Sequence, residues 1–138
     1  MAADYELDMA KRFHGHLGPN LIAGMRMGRA ALKALETEKY FGFEAQVGCA
    51  DQPPGSCIAD GVQFATGCTL GKRNITLTPS EDVWLRVARK DGSGSVIVRM
   101  RPGVLPRAME WLRAEGDEAA ALRLWDMPDD ELLDVTRE

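Results

Sequence analysis

Cys57-Ile58-Ala59-Asp60-Gly61-Val62-Gln63-Phe64-Ala65-Thr66-Gly67-Cys68-Thr69-Leu70-Gly71-Lys72-Arg73-Asn74 is the stretch on which the rest of the chain is read. It crowds two thiols, a carboxylate, two amides, two hydroxyls and a lysine into a short run. Ser56 is an N-cap candidate, Ile58 to Thr66 reads as a short helix, and Gly67 fits its carboxyl-terminal stop. The free N–H groups of a helix start favour nearby negative charge. A thiolate at Cys57 is then expected to have a lowered pKa and to be a better metal ligand or nucleophile. The plain alternative is an inert thiol buried among alanines.

Working upstream, Asp51 to Gly55 is a loop, and Glu44 to Ala50 a strand with Val47 and Cys49 on one face. Tyr40 to Gly42 is a break. Before it, Pro19 opens a helix that runs to about Glu38, with Leu21, Ile22, Met25, Ala31, Leu32 and Leu35 on a broad apolar surface. Gly24 and Gly28 share a face of that helix. Glycine there costs about 1 kcal/mol against alanine, so the pair predicts another backbone passing close by. Phe13 to Asn20 is a turn, and Tyr5 to Phe13 a short amphipathic helix.

Downstream, Ile75 to Thr78 reads as a strand. Val83, Leu85 and Val87 alternate with Trp84, Arg86 and Ala88, and Val96, Val98 and Met100 with Ile97, Arg99 and Arg101, about a Lys90-Asp91-Gly92-Ser93-Gly94 turn. This predicts an antiparallel hairpin with one face on the core and its arginines in solvent. Helices are expected over Leu105 to Ala114 and Glu118 to Leu124, and another from Pro128, with Leu132, Leu133 and Val135 packing back on the body. The sum is an α+β fold: one domain over residues 1–138, with a small antiparallel sheet against a long N-terminal helix and C-terminal helices.

Bulk properties narrow the partners. With 17 basic and 21 acidic residues in 138, the net charge is -4, and no basic surplus recommends a nucleic acid. No apolar run is long enough to span a bilayer. Three cysteines and an acidic amino end argue for a reducing compartment, the cytoplasm, and against a disulfide scaffold. The Asn74-Ile75-Thr76 acceptor pattern should then stay unmodified.

The protein's only histidines are His14 and His16, beside a helix start. In an extended segment both imidazoles face one site, whereas a turn would split them. With cysteine they form a common ligand set for zinc and related metals, although the spacing is not that of a zinc finger. Asp60, three residues after Cys57, either caps free N–H groups, orients a histidine or acts as a base. Gln63 shares its face. Gly67 to Lys72 is one residue short of a nucleotide P-loop and no Ser or Thr follows the lysine, so that reading is rejected. A small anion held by Lys72 and local N–H groups remains open.

Two blocks resemble the FmdE family, named for a component of formylmethanofuran dehydrogenase. Phe13-His14-Gly15-His16-Leu17-Gly18-Pro19-Asn20 is similar to the family's F-H-G-H-x-C-P-G. Cys57, Asp60, Gln63, Gly67, Cys68, Thr69, Gly71, Lys72 and Asn74 match C-x-x-D-x-x-Q-x-x-x-G-C-T-x-G-K-x-N. The likeness spans His14 to about Met100, and Pro128 to Leu133 resembles the family's ending. It implies an α+β domain, a homodimer, a metal-associated pocket between the motifs with zinc as the expected metal, and a loose link to one-carbon or molybdopterin enzymes. It also implies a stand-alone member lacking the zinc-ribbon extension. Gly18 stands where the family has cysteine, and Asn20 where it has glycine. If that cysteine is a ligand, a soft donor is missing. His14, Cys49 or water would then replace it, or the site would bind metal weakly or be empty.

Three functions follow as expectations. The first is a metal protein, with zinc or another transition metal, that binds a small molecule or performs a hydrolytic or C1-transfer step. His16, Cys57, His14 and Cys68 supply its metal donors, His14 and Asp60 the acid–base groups, and Gln63, Thr69 and Lys72 contact an anionic ligand. The second is a non-catalytic accessory or metal-handling subunit docked on a larger molybdenum or tungsten oxidoreductase. The third is a metal-free ligand-binding domain.

Overall fold

The computed structural model describes residues 2–138. Its elements in chain order are α1 (Ala2–His14), α2 (Pro19–Leu35), β1 (Phe43–Cys49), α3 (Cys57–Thr66), β2 (Ile75–Pro79), β3 (Trp84–Arg89), β4 (Ser95–Met100), α4 (Val104–Glu115), α5 (Asp117–Asp126), α6 (Asp129–Leu132) and β5 (Leu133–Arg137). One five-stranded sheet has the order β2-β1-β3-β4-β5. The α+β expectation holds.

Period-two alternation builds the core face of the sheet. Register puts Val47, Leu85 and Val98 in one row across three strands, and Ala45, Val87 and Val96 in the next. All six are buried. They join one apolar core with Ile22, Ala23, Met27 and Ala31 of α2. Each large apolar side chain fully withdrawn from water contributes roughly 1.5–3 kcal/mol. The opposite face is mainly polar, with Trp84 and Ile97 half-buried among its arginines. There Gln46 Nε2 donates to Thr78 Oγ1 (3.2 Å), and Arg86 Nε donates to Glu138 Oε1 (2.9 Å). The hairpin arginines thus sit on a solvated face, as their alternation predicts.

Two expectations about strands are corrected. The sheet is mixed, because β1 and β2 pair parallel while β3, β4 and β5 add antiparallel. The reason is α3, which carries the chain back along the sheet so that β2 starts from the same end as β1. The C-terminal helix has only four residues. The chain then becomes β5, which pairs with β4, so Leu133 is buried but Val135 is 42% exposed rather than packed on the body.

Helix boundaries shift for local reasons. α2 stops at Leu35, where Glu36 turns left-handed (φ 55°) and its N–H bonds to the Leu32 and Lys33 carbonyls. Ser56 holds the N-cap position of α3, but its side chain does not cap. Its backbone is itself helical in conformation, and Cys57 is the first helical residue.

The glycine pair of α2 does mark a close approach. A Cβ on Gly24 would overlap the Ile58 carbonyl oxygen, and a Cβ on Gly61 would overlap that of Leu21. Gly28 faces Ala65 and Thr66. Contacts therefore rise together along both helices, so α2 and α3 run parallel with their amino ends side by side. Arg26, 3% exposed, spans from α2 to the far end of α5. Its Nη1 donates to the Leu124 and Trp125 carbonyls (3.0 and 2.8 Å), and its Nη2 to Asp129 (2.5 Å). A cation there complements the carboxyl-terminal carbonyls of α5. Among the described residues no helix is long and apolar enough to cross a membrane.

Candidate functional site

The amino end of α3 collects the chemistry. His14 closes α1, and the glycine-bearing turn after it swings His16 alongside, with ring centroids 4.7 Å apart. His14 Nδ1–H donates to Asp60 Oδ2 at 2.6 Å, 46 residues away in sequence. His16 Nδ1–H donates to Asp117 Oδ2 at 2.5 Å, 101 residues away. An ionised carboxylate only accepts, so in the neutral ring each partner selects the Nδ1–H tautomer and leaves the Nε2 lone pair free for a metal. The two rings differ in exposure, 8% for His14 and 56% for His16. His14 Nε2 is buried and has no hydrogen-bond partner. A buried polar atom left without a partner is a rare and costly state.

Asp60 is held in turn. Gln63 Nε2 donates to Asp60 Oδ1 (3.4 Å), and Gln63 Oε1 accepts from the Leu70 N–H (3.0 Å). The cap role considered for Asp60 is not the one seen, since its side chain serves His14 and Gln63. Cys57, partly exposed, completes this end. Burial first, then the charges of Asp60 and Asp117, push its thiol above the usual range. The expectation of a lowered thiol pKa is thereby corrected. Two carboxylates and desolvation outweigh the start of a short helix.

The other end of the quoted stretch is different. Cys68 is fully buried behind Gly67, about 15 Å along α3 from Cys57 at the helical rise, and burial raises its thiol as well. Thr66 Oγ1 donates to the Val62 carbonyl and accepts from the Cys68 N–H. Asn74 Oδ1 accepts from the Thr69 N–H (2.8 Å), and Thr69 Oγ1 from the Lys72 N–H (3.2 Å). The Lys72 ammonium lies 4.7 Å from the Phe41 ring centre and donates to the Tyr40 carbonyl. The structure thus brings His14, His16, Cys57 and Asp60 to one end of α3, with Gln63 reaching from Asp60 to the Leu70 N–H of the following turn. Cys68, Thr69 and Lys72 lie at the other end.

Asp117 is the residue the sequence reading missed. It opens α5 beside Glu118, and acids in a first helical turn are explained by the helix dipole alone. No spacing in the sequence links it to His16.

The donor chemistry at this end fits a borderline ion such as zinc. It offers two imidazole Nε2 atoms, each ring backed by a carboxylate, an orphaned Nε2 among them, and a thiol nearby. Among the described residues no three His, Cys, Asp or Glu side chains already converge on one metal position. A depression of about 520 Å³ opens where the carboxyl ends of β1 and β2 meet the amino ends of α2 and α3, lined by Asn20, Asp51, Ile58 and Ser80 among others. Such crevices beyond parallel strand ends are common ligand sites. A second, of about 560 Å³, continues from it along Arg99, Arg101 and Asp134. Neither is lined by the imidazoles, Cys57, Asp60 or Asp117.

Known proteins share this frame. A protein-family model described as "FmdE, Molybdenum formylmethanofuran dehydrogenase operon" matches residues 13–134. The "Probable S-adenosyl-L-methionine-binding protein" of Archaeoglobus fulgidus is 34% identical over 145 residues, covering 94% of this chain and 39% of that protein. This chain thus spans well under half of that relative's length. The crystal structure of an FmdE-like protein of the tungsten formylmethanofuran dehydrogenase type, from Syntrophus aciditrophicus, matches with a TM-score of 0.72 and 20% identity, over 98% of this chain and 71% of that one. At that identity the likeness is one of fold. The family match takes in both histidines, all of α3 and its following turn, and the whole sheet as far as Asp134: the chain belongs to the FmdE family.

Proposed function

We propose that the amino end of α3 is a metal-dependent small-molecule site. His14 and His16 hold a zinc-class ion through Nε2, and Cys57 stands as the third donor. The observation that carries this reading is His14 Nε2, buried and without a partner, beside a second, more exposed imidazole held by its Nδ1. Asp60, steadied by Gln63, keeps His14 in the required tautomer, and Asp117 does the same for His16. Imidazole with thiol selects zinc and its neighbours over magnesium or calcium. Such an ion, with open positions beside so few protein donors, supplies Lewis acidity or an activated water. The family's link to formylmethanofuran dehydrogenase systems directs the search for a ligand to one-carbon and anionic small molecules. A homodimer, a cytoplasmic setting and docking on a molybdenum or tungsten oxidoreductase belong to the same reading.

The test is calorimetric titration of metal-free protein with Zn²⁺. Binding near one ion per chain is expected, and its loss in His14→Ala and His16→Ala. Equal zinc affinity in wild type and both variants would sink the reading.

A second reading is a metal-free ligand-binding domain, favoured by the name of the Archaeoglobus relative and by the crevice at the strand ends. Titration with S-adenosyl-L-methionine, with and without zinc, decides between them. Binding indifferent to zinc and to His14→Ala supports the second. Binding that requires the ion, or none, supports the first.

A further inference from the structure

We propose that Asp117 is the positioning residue for His16, and that Gly18 is glycine in order to leave room for it. His16 is the more exposed imidazole, and its hydrogen bond to Asp117 is the one that sets its ring. α5 arrives at this point with further ties to the first turn and α1. Lys11 pairs with Glu118 at 3.5 Å, and Leu17 is buried beside them.

Gly18 faces the same pair. A Cβ built on it would stand 2.8 Å from Asp117 Oδ1, 3.3 Å from Asp117 Cγ and 3.1 Å from His16 Cε1. The backbone at Gly18 is extended (φ -136°, ψ 165°), a conformation any residue adopts. Conformational freedom therefore does not explain the glycine, and the missing side chain does. The atom nearest that Cβ is the tip of an aspartate that is partly in solvent. A side chain at 18 would push the carboxylate aside rather than break the fold, and His16 would lose its acceptor. Positions 18 and 117 thus act as one unit. The second imidazole of the site is aimed by a helix that neither sequence motif touches.

The inference rests on the proposed site for its consequence, but its test does not need a metal. Nitrogen-detected NMR of the metal-free protein reads the tautomer of each imidazole. His16 is expected as the Nδ1–H form in wild type. Asp117→Ala and Gly18→Ala should both return it toward the Nε2–H form that free imidazole favours, leaving His14 as it was. Asp117→Asn, which keeps an oxygen acceptor, should retain much of the wild-type signal. Zinc affinity should fall about 10- to 100-fold in Asp117→Ala and in Gly18→Ala. The double variant should be no weaker than Asp117→Ala. An unchanged His16 signal in Asp117→Ala overturns the proposal, and so does full additivity in the double variant. If wild type binds no zinc, the metal reading fails, and the tautomer comparison still decides this one. If Gly18→Ala does not fold, Asp117→Ala and Asp117→Asn carry the decision.

Discussion

The two ends of α3 carry similar residues and treat them in opposite ways. At the carboxyl end, Thr66, Thr69, Asn74 and the backbone around them satisfy one another, and Cys68 is sealed behind them. At the amino end, two carboxylates hold two imidazoles by one nitrogen each, and a buried lone pair on the other nitrogen of His14 has nothing to accept. Polar residues that close a turn and polar residues that form a site look alike in a sequence. What separates them is whether any hydrogen-bonding capacity is left over.

The contrast can be broken first at the seam beneath both ends. Gly24→Ala gains about 1 kcal/mol of helix propensity. It also drives a methyl group into the Ile58 carbonyl. A net loss of about 3 kcal/mol is expected from forcing α2 and α3 apart. Chemical denaturation measures it, and stability equal to wild type would mean the helices do not pack as described.

Next comes His14→Ala, which removes the unpartnered nitrogen. Zinc affinity should fall by at least about 100-fold, more than loss of an orienting partner costs, while the denaturation midpoint stays near wild type. A variant that loses stability and keeps its affinity would make His14 a structural residue. Asn74→Ala is the mirror experiment. It strips the acceptor from the Thr69 N–H, so about 2 kcal/mol of stability should be lost with zinc affinity unchanged. A large effect on affinity would join the two ends into one site.

How much of this was legible in the sequence follows the same line. Pro19, the apolar stripe of α2 and the paired glycines predicted a helix in close contact with another backbone, because sterics of that kind are local. The alternation in β3 and β4 predicted their hairpin for the same reason. Strand direction was not legible, since Ile75 to Thr78 reads the same whether it pairs parallel or antiparallel with β1. Nor was β5, whose Leu133 and Val135 follow an acidic helix start that reads as the opening of a longer helix. The His14–Asp60 pairing was within reach, because both sit in dense motifs. Asp117 was not, and neither was Arg26, whose partners are backbone carbonyls of a distant helix. The turn at Thr69 to Lys72 resembled an anion cradle because a sequence does not say which donors the backbone has already taken.

The smallest expected effect lies away from α3 and gives a baseline. Glu138 is held below the usual glutamate range, first by the Ser95 hydroxyl and then by Arg86. Its contribution to fixing β5 on β4 is complete above the ordinary carboxyl range and fades as pH falls through the lowered one. The amide shifts of Val135 and Thr136 should therefore begin to move only in acid, and should be insensitive to that step in Glu138→Gln. Movement starting at or above the ordinary range would contradict the depressed carboxyl.

The Arg12–Asp8 pair of α1 forms within a single turn of chain, but His16 waits for a partner 101 residues later. During synthesis the first imidazoles leave the ribosome long before α5 exists. Loops of that size close late and slowly, after local contacts have settled. The His16–Asp117 contact therefore cannot form until α5 has been made, and an intact pairing reports that α5 has docked beside the first turn.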